Sequence, residues 1–324
     1  MLGATQRLYY TRNLIFLSRG SVFMGWRSVI ITQHSKLSYS SRMMVVQNNE
    51  GISQIPVEDI ELLVIETTQA VITSSLIGAL TKNGTKVIFT DRQHEPVCET
   101  VGYYPNNLAL ENINLQYNWP QERMELLWTN IIIGKIENQI QVLRLNGQQT
   151  KELEDELDVL EVNDVTNREA VVAKKYFQTL FTKDFSRRTG SVINKALDYG
   201  YAVILSKINR EIVQNGFLTY LGIHHHSNEN QFNFGCDLIE PFRPIVDYWV
   251  NGQNFLDFTP DVKYGLVDML NLEIKYNGKN TLLRNAITKY VSDCLNYLNG
   301  KKDNIKIEVT LPNEVSYNAL NDHV

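Results

Sequence analysis

The sequence predicts an α+β protein: a small N-terminal β-rich domain followed by a larger, all-helical domain. Three observations predict it. As far as residue 104 the chain runs in short stretches rich in β-branched and aromatic residues, separated by turn residues. From Leu108 onward apolar residues recur at helical spacing over long stretches. Between the two regimes, Tyr103-Tyr104-Pro105-Asn106-Asn107 reads as a linker. With 324 residues there is room for two domains, and 43% hydrophobic and 21% charged content suits a soluble globular chain.

Residues 1–23 carry Arg7, Arg12 and Arg19, no acids, and a short apolar patch, Leu14 to Leu17. That patch is broken and no small-residue cleavage site follows, so a signal peptide or presequence fits poorly. The segment reads as an upstream extension, with the first domain over 24–104. Within it, Arg27–Thr32 and Lys36–Val46 read as strands, Asn48-Asn49-Glu50-Gly51 as a turn, and Ile60–Ile65 as a short apolar strand. Thr68–Lys82 has helical spacing, stopped by Asn83-Gly84. Lys86–Thr90 and Glu95–Val101 read as further strands. The domain holds no catalytic constellation; its histidines, His34 and His94, are isolated.

The second domain, 105–324, opens with helical periodicity over Leu108–Asn146, where Pro120 breaks or starts a helix. Residues 151–162 form a charged amphipathic segment, in keeping with a solvated face. Ser191–Gln214, 261–272 and Asn280–Leu298 read as helices, and Ile305–Val309 as a terminal strand. The tail after Leu311 reads as loose.

The formal net charge of −5 argues mildly against nucleic-acid binding, but charge is unevenly placed. Residues 151–164 are acidic. Residues 183–210 carry Lys183, Arg187, Arg188, Lys195, Lys207 and Arg210 against Asp184 and Asp198. Such a local basic surface suits sequence-independent phosphate contacts, although a merely solvated helix face fits as well. Three scattered cysteines, Cys98, Cys236 and Cys294, form no framework and suit reduced thiols in the cytoplasm. No stretch is long and apolar enough to span a bilayer. There is no Walker loop, dinucleotide fingerprint or cysteine-based zinc pattern.

The chemistry concentrates in Gly222–Asp247. His224, His225 and His226 sit in a polar, turn-rich loop, and Asp237 and Glu240 follow three residues apart. A helix starting near Cys236 would put both carboxylates on one face. Imidazole and carboxylates together suit a divalent metal, and the Arg243 fork suits a phosphate. The plain alternative is a surface loop before an acidic helix start, since acids favour helix N-termini without any function. Upstream, Glu169 opens an apolar helical stretch. There Thr166-x-x-Glu169 reads as a capping box, a use of the carboxylate that competes with metal ligation.

Leu221-Gly222-Ile223-His224-His225, followed by Asp237-Leu238-Ile239-Glu240-Pro241-Phe242-Arg243-Pro244, resembles the signature of the CRISPR-associated integrase family. Glu169-Ala170-Val171-Val172-Ala173-Lys174-Lys175-Tyr176-Phe177 is similar to that family's other motif. The Pro241–Pro244 tail resembles the type II-A subtype. The resemblance implies Glu169, His225 and Glu240 as ligands of Mg²⁺ or Mn²⁺, with Asp237 either a further ligand or the group that orients His225. Many relatives have Asp where this chain has Glu240, which leaves the division of roles between Glu240 and Asp237 open. Softness alone would also admit zinc at the imidazole; the phosphate substrate and the carboxylates point to Mg²⁺ or Mn²⁺.

The implied reaction is phosphoryl transfer: the 3′-hydroxyl of a prespacer duplex attacks the leader-proximal repeat of a CRISPR array, and water in its place gives nuclease activity. The implied DNA contacts are Arg187, Arg188, Lys195, Lys207, Arg210, Arg243 and His34. The implied assembly is a homodimer paired through the β-rich domain, with two dimers bridged by a small second adaptation protein. The type II-A likeness adds the effector nuclease and a ring-shaped DNA-binding protein. Two other readings share these residues: a plain nuclease of branched DNA, and a non-catalytic DNA-binding scaffold.

Overall fold

The computed structural model describes residues 27–92, 96–100, 102 and 109–313. The expectations for residues 1–23, the start at Met24, His94, the linker at 103–107 and the tail past residue 313 lie outside these residues. The chain divides into two compact units at Tyr103/Tyr104.

In the first unit the strands are β1 (Arg27–Ile31), β2 (Lys36–Ser40), β3 (Met43–Asn48), β4 (Gly51–Pro56), β5 (Ile60–Ile65) and β6 (Val71–Ile72), then β7 (Lys86–Thr90) and β8 (Pro96–Glu99). Helix α1 (Ser74–Lys82) precedes β7. One sheet has the order β1-β5-β7-β8 and the other β4-β3-β2-β6. Strand β5 is buried at all six positions and pairs in parallel with β1 and β7 on either side, which its unbroken apolar run requires. Leu37, Met44, Val46 and Ile55 of one sheet share a core with Val29, Ile31, Leu63, Ile65 and Val87 of the other and with Leu76 and Leu80 of α1.

Two expectations for this unit are corrected. Lys36–Val46 is two strands in a hairpin, with Ser40 opposite Met43. Ser41 and Arg42 between them have φ of 50° and 64°, the left-handed pair a two-residue hairpin turn demands. Neither residue type advertises such a turn. The helix starts at Ser74 rather than Thr68, because Thr73 caps it, accepting from Leu76 N at 3.4 Å. Val71 and Ile72 meanwhile pair with Lys36 and Leu37 of β2.

The second unit comprises α2 (Ala109–Tyr117), α3 (Gln121–Leu145), α4 (Lys151–Asp158), α5 (Arg168–Leu180), α6 (Val192–Gln214), α7 (Asn233–Ile239), α8 (Arg243–Asn251), α9 (Pro260–Asp268) and α10 (Leu283–Leu298). It also holds β9 (Glu273–Tyr276), β10 (Lys279–Leu282) and β11 (Val309–Thr310). It is therefore not all-helical, and β10 takes part of the helix expected from Asn280. The three strands form an antiparallel sheet, β10-β9-β11. Glu273–Tyr276 alternates exposed and buried side chains, and Asn277-Gly278 turns the chain with φ of 48° and 77°. Asn-Gly between short β-stretches is a strong local hairpin signal. Helical spacing further along masked it.

Helix α3 is the axis of this unit. Pro120 stands just before its first turn, where a missing N–H costs nothing. The helix packs against α4, α5, α7, α8, α10 and β11. Its buried face runs through Leu127, Trp128, Ile131, Ile132, Ile136, Val142 and Leu143, and also includes Lys135, Asn138 and Gln139. No helix among the described residues is long and apolar enough to cross a membrane.

Arg42 sits in a left-handed conformation that glycine adopts without steric cost. Arg42→Gly should stabilise the protein by about 0.5–1 kcal/mol, read as a higher urea midpoint; a lower one would contradict the turn assignment.

Candidate active site

The site is built on Lys135, which the sequence reading missed. Its side chain is 9% exposed, and its ammonium lies 2.6 Å from Glu169 Oε1 and 2.5 Å from Glu240 Oε2. The signal for it was a lysine on the buried stripe of α3, where a charge is costly unless paired.

Glu169 enters from the first turn of α5. The chain reaches that turn through Asn163, Asp164 and Asn167, all with positive φ, a conformation Asn and Asp tolerate best among side-chain-bearing residues. Asp164 Oδ1 accepts from Arg168 N at 2.7 Å and Asp164 Oδ2 from Glu169 N at 3.0 Å. Asp164 thus does the capping expected of Thr166 and Glu169. The capping box does not form, and the Glu169 carboxylate faces Lys135.

Glu240 enters from the opposite side. Pro241 and Pro244 withhold two N–H groups where α7 would run into α8, and residues Glu240–Phe242 tighten into a 3₁₀ turn. Asn138 of α3 ties down that turn by donating to Pro241 O at 2.7 Å. Arg243 Nε donates to Glu240 Oε1 at 2.8 Å. Burial alone would raise the Glu240 pKa, but Arg243 and Lys135 outweigh it and push it down to about 2. Burial likewise works against the Lys135 charge, and Glu240 and Glu169 more than compensate, holding its pKa above the usual value. Glu240 Oε2 meets the Lys135 ammonium and no other partner among the described residues.

Asp237 and Glu240 lie three residues apart on one continuous right-handed helical backbone, α7 and the 3₁₀ turn that follows it. Asp237 lies in α7 proper, is fully buried, and gathers the histidine loop. Its Oδ2 accepts from Ile223 N at 2.6 Å and His224 N at 3.1 Å, and its Oδ1 from His225 N at 3.0 Å. Oδ1 also lies 2.6 Å from His225 Nδ1. This bond raises the His225 pKa, with Glu240 and Glu169 adding to the effect. It leaves Nε2 as the open ring nitrogen. His225 packs edge-on against Trp128, while His224 stacks on the same indole at 4.1 Å; His226 is exposed. Gln116 pins the start of the loop, donating to Leu218 O at 2.9 Å and Leu221 O at 3.1 Å.

Both acids and the imidazole therefore converge on one region, and three donors of this type suit a hard divalent cation. The buried Glu240 Oε2, already in contact with one cation, the Lys135 ammonium, fits that set. Among the described residues, however, no three such groups stand ready to enclose an ion. Lys135 stands at both carboxylates.

The expected phosphate contacts separate. Arg188 and Lys195 are exposed. Lys207 is 5% exposed and paired with Glu211 at 2.8 Å, and Arg210 is 4% exposed; both serve the interior of α6 rather than its surface. Arg187 pairs with Asp198 and donates to Asn194 Oδ1 at 2.6 Å. Arg187 and Arg243 both lie over the Tyr201 ring, at 5.3 and 4.7 Å. His34 is exposed, between β1 and β2 of the other unit. Cys236 is half-buried and accepts from Asn230 Nδ2 at 3.4 Å.

The profile of the family described as CRISPR associated protein Cas1 matches residues 28–253. The chain belongs to the Cas1 family. The CRISPR-associated endonuclease Cas1 of Neisseria meningitidis serogroup C (strain 8013) is 33% identical over 276 residues, which span 83% of this chain and 91% of that protein. Among solved structures, a casposase bound to integration product has a TM-score of 0.73 at 20% identity, covering 87% of this chain and 93% of that one. A Cas6-RT-Cas1–Cas2 complex has a TM-score of 0.68 at 16% identity, covering 88% of this chain and 36% of that longer one. These two share the fold. Membership of the Cas1 family makes the chain an enzyme, a CRISPR-associated endonuclease and integrase of spacer acquisition.

Two outcomes test this geometry. A Cβ at Gly222 would lie 2.3 Å from His225 O and 2.7 Å from Asp237 Oδ2. Gly222→Ala should cost about 1–3 kcal/mol and shift the His225 ring resonances; an unperturbed His225 would contradict the packing. Behind the site, burial drives the Asp247 carboxyl up to about 6, although the Tyr201 hydroxyl donates to it. The folded chain then holds this proton more tightly than the unfolded chain, so Asp247 withdraws stability as pH rises from about 4 to 6. Asp247→Asn removes that loss. Its unfolding free energy relative to wild type should rise by about 3 kcal/mol between pH 4 and 7, measured by urea titration; a constant difference would contradict it.

Proposed function

We propose that Glu169, His225 and Glu240 hold one Mg²⁺ or Mn²⁺ and that this centre joins prespacer 3′-hydroxyl ends to the leader-proximal repeat of a CRISPR array. The observation that carries the reading is the meeting of two carboxylates from α5 and the 3₁₀ turn at one cation, with His225 beside them. When bound, the ion would polarise the scissile phosphate and stabilise the leaving 3′-oxygen.

The chain's own residues do the rest. Asp237 fixes the His225 ring through Nδ1 and presents Nε2, a positioning task rather than ligation, because both its oxygens are taken up by the loop. Arg243 keeps Glu240 ionised and anchored. Arg188 and Lys195 are exposed for backbone phosphates, and Arg187 would join them on releasing Asp198. The attacking hydroxyl comes with the DNA, so no protein nucleophile is needed.

We further infer a homodimer paired through the β-rich unit, with His34 on the DNA side, and two dimers bridged by a Cas2-like protein. The fold shared with a chain from a Cas1–Cas2 complex supports that partner. The type II-A likeness of Pro241–Pro244 supports the effector nuclease and the ring-shaped accessory protein as further partners.

A labelled prespacer duplex and a repeat-bearing target test this directly. Glu169→Ala, His225→Ala and Glu240→Ala should each lower strand joining about a hundredfold or more while duplex binding survives. Cleavage without joining by the wild type would favour the plain nuclease. Joining at normal levels in any of the three variants would sink the metal assignment and favour the scaffold reading.

A further inference from the structure

Lys135 is an unusual neighbour for a metal centre. It rises from the middle of α3, flanked by Ile131, Ile132 and Ile136, all fully buried. Its nitrogen reaches carboxylates from two separate elements, and the Glu240 side chain is only 5% exposed. Arg243 offsets Glu240 from the Oε1 side. Lys135 is the cation that both acids have in common. Without it, the buried Glu240 carboxylate and the partly buried Glu169 carboxylate would face each other across a gap one small cation wide and repel. A lysine ammonium is a compact charge on a flexible stem with rotatable donors, so it can hold the two oxygens and can also withdraw. A guanidinium fork would lock them.

We propose that Lys135 is a positioning residue. In the metal-free protein its ammonium takes the place of the divalent cation and keeps Glu169 and Glu240 converged, and it is displaced when the ion arrives. The proposal rests on the metal-centre reading above. An ammonium cannot stay within 3 Å of both acids while a divalent ion occupies the same gap, because the two cations would repel at contact distance. Lys135 therefore holds the acids in register and competes with the metal for them. The competition has a sign: removing the lysine should loosen the metal-free protein and tighten metal binding.

The test is Mn²⁺ binding to the full chain by calorimetry, together with melting temperatures with and without Mn²⁺. Wild type, Lys135→Met, Lys135→Gln and, as a site control, Glu240→Gln are compared. We expect one saturable Mn²⁺ site in wild type that Glu240→Gln removes. The Lys135→Met and Lys135→Gln proteins should bind Mn²⁺ at least about tenfold tighter, as loss of a charge this close predicts. They should melt lower without metal and regain wild-type melting with it. Equal or weaker binding in both Lys135 variants, beside a normal wild-type site, would overturn the role of Lys135 and leave the metal centre standing. No saturable site in wild type, or one that Glu240→Gln leaves untouched, would overturn the centre itself. Should neither variant fold without metal, the wild-type protein labelled at lysine Nζ with ¹⁵N decides. Saturating Mg²⁺ should shift the Lys135 resonance and speed its proton exchange, and an unchanged resonance overturns the proposal.

Discussion

A buried carboxylate, Glu240, held within reach of a partly buried one, Glu169, is the constraint on which the second unit is arranged. An ionised carboxylate taken out of water costs several kcal/mol unless it is matched by a nearby charge and hydrogen bonds. Here the match comes from Lys135, carried on the buried face of α3, and from Arg243 on the next turn after Glu240. The helices that pack around α3 bring the acids to it. The left-handed turn over Asn163–Asn167 aims α5 so that its first turn meets Lys135, and Asn163 N donating to Thr129 Oγ1 at 2.8 Å ties that turn to α3. The 3₁₀ turn at Glu240 is held by Asn138, one helical turn beyond Lys135 on the same face.

Two acids three residues apart do different work. Asp237 stands within α7 and faces the loop, where three backbone N–H groups and an imidazole use up its oxygens. Glu240 stands where Pro241 tightens the turn, and it faces α3. One carboxylate therefore shapes the Gly222–His225 turn, and the other meets the cations Lys135 and Arg243. The longer arm of Glu240 spans the distance from that turn to the ammonium. The packing of Gly222 follows from the same arrangement, because no side chain fits between Asp237 and the His225 carbonyl.

Much of this was legible in the chain. The change from β-branched runs to helical spacing marks the two regimes, and Glu169, His225, Asp237 and Glu240 stand out through their motifs. Four features were not, each for a physical reason. The capping box failed because Asp164, reached through a left-handed turn that no local pattern announces, takes the N–H groups first. The Asn277-Gly278 hairpin was hidden because apolar spacing from Leu283 onward reads as one helix with the strand before it. Lys207 and Arg210 looked like a basic face because sequence does not show which side of a long helix is covered; α7, α8, α9 and α10 all pack against α6. Lys135 was overlooked for the same reason: its meaning comes from partners 34 residues and more away in the chain.

The charge count at the site has a consequence for how DNA would be received. Glu169 and Glu240 are balanced by Lys135 and Arg243, so these four groups together carry no net charge to attract a phosphate. The protein carries a net charge of −5, which opposes a polyanion at long range. On the proposed reading attraction is local, and the exposed Arg188 and Lys195 would supply it without drawing DNA into an unloaded centre. On the proposed reading, two further positive charges reach the cluster only with the cation, and at short range the field favours the scissile phosphate only then. Such an arrangement separates holding DNA from acting on it. It also explains why a buried lysine, poorly placed for a substrate and costly for a core, stands at the meeting point of the two acids.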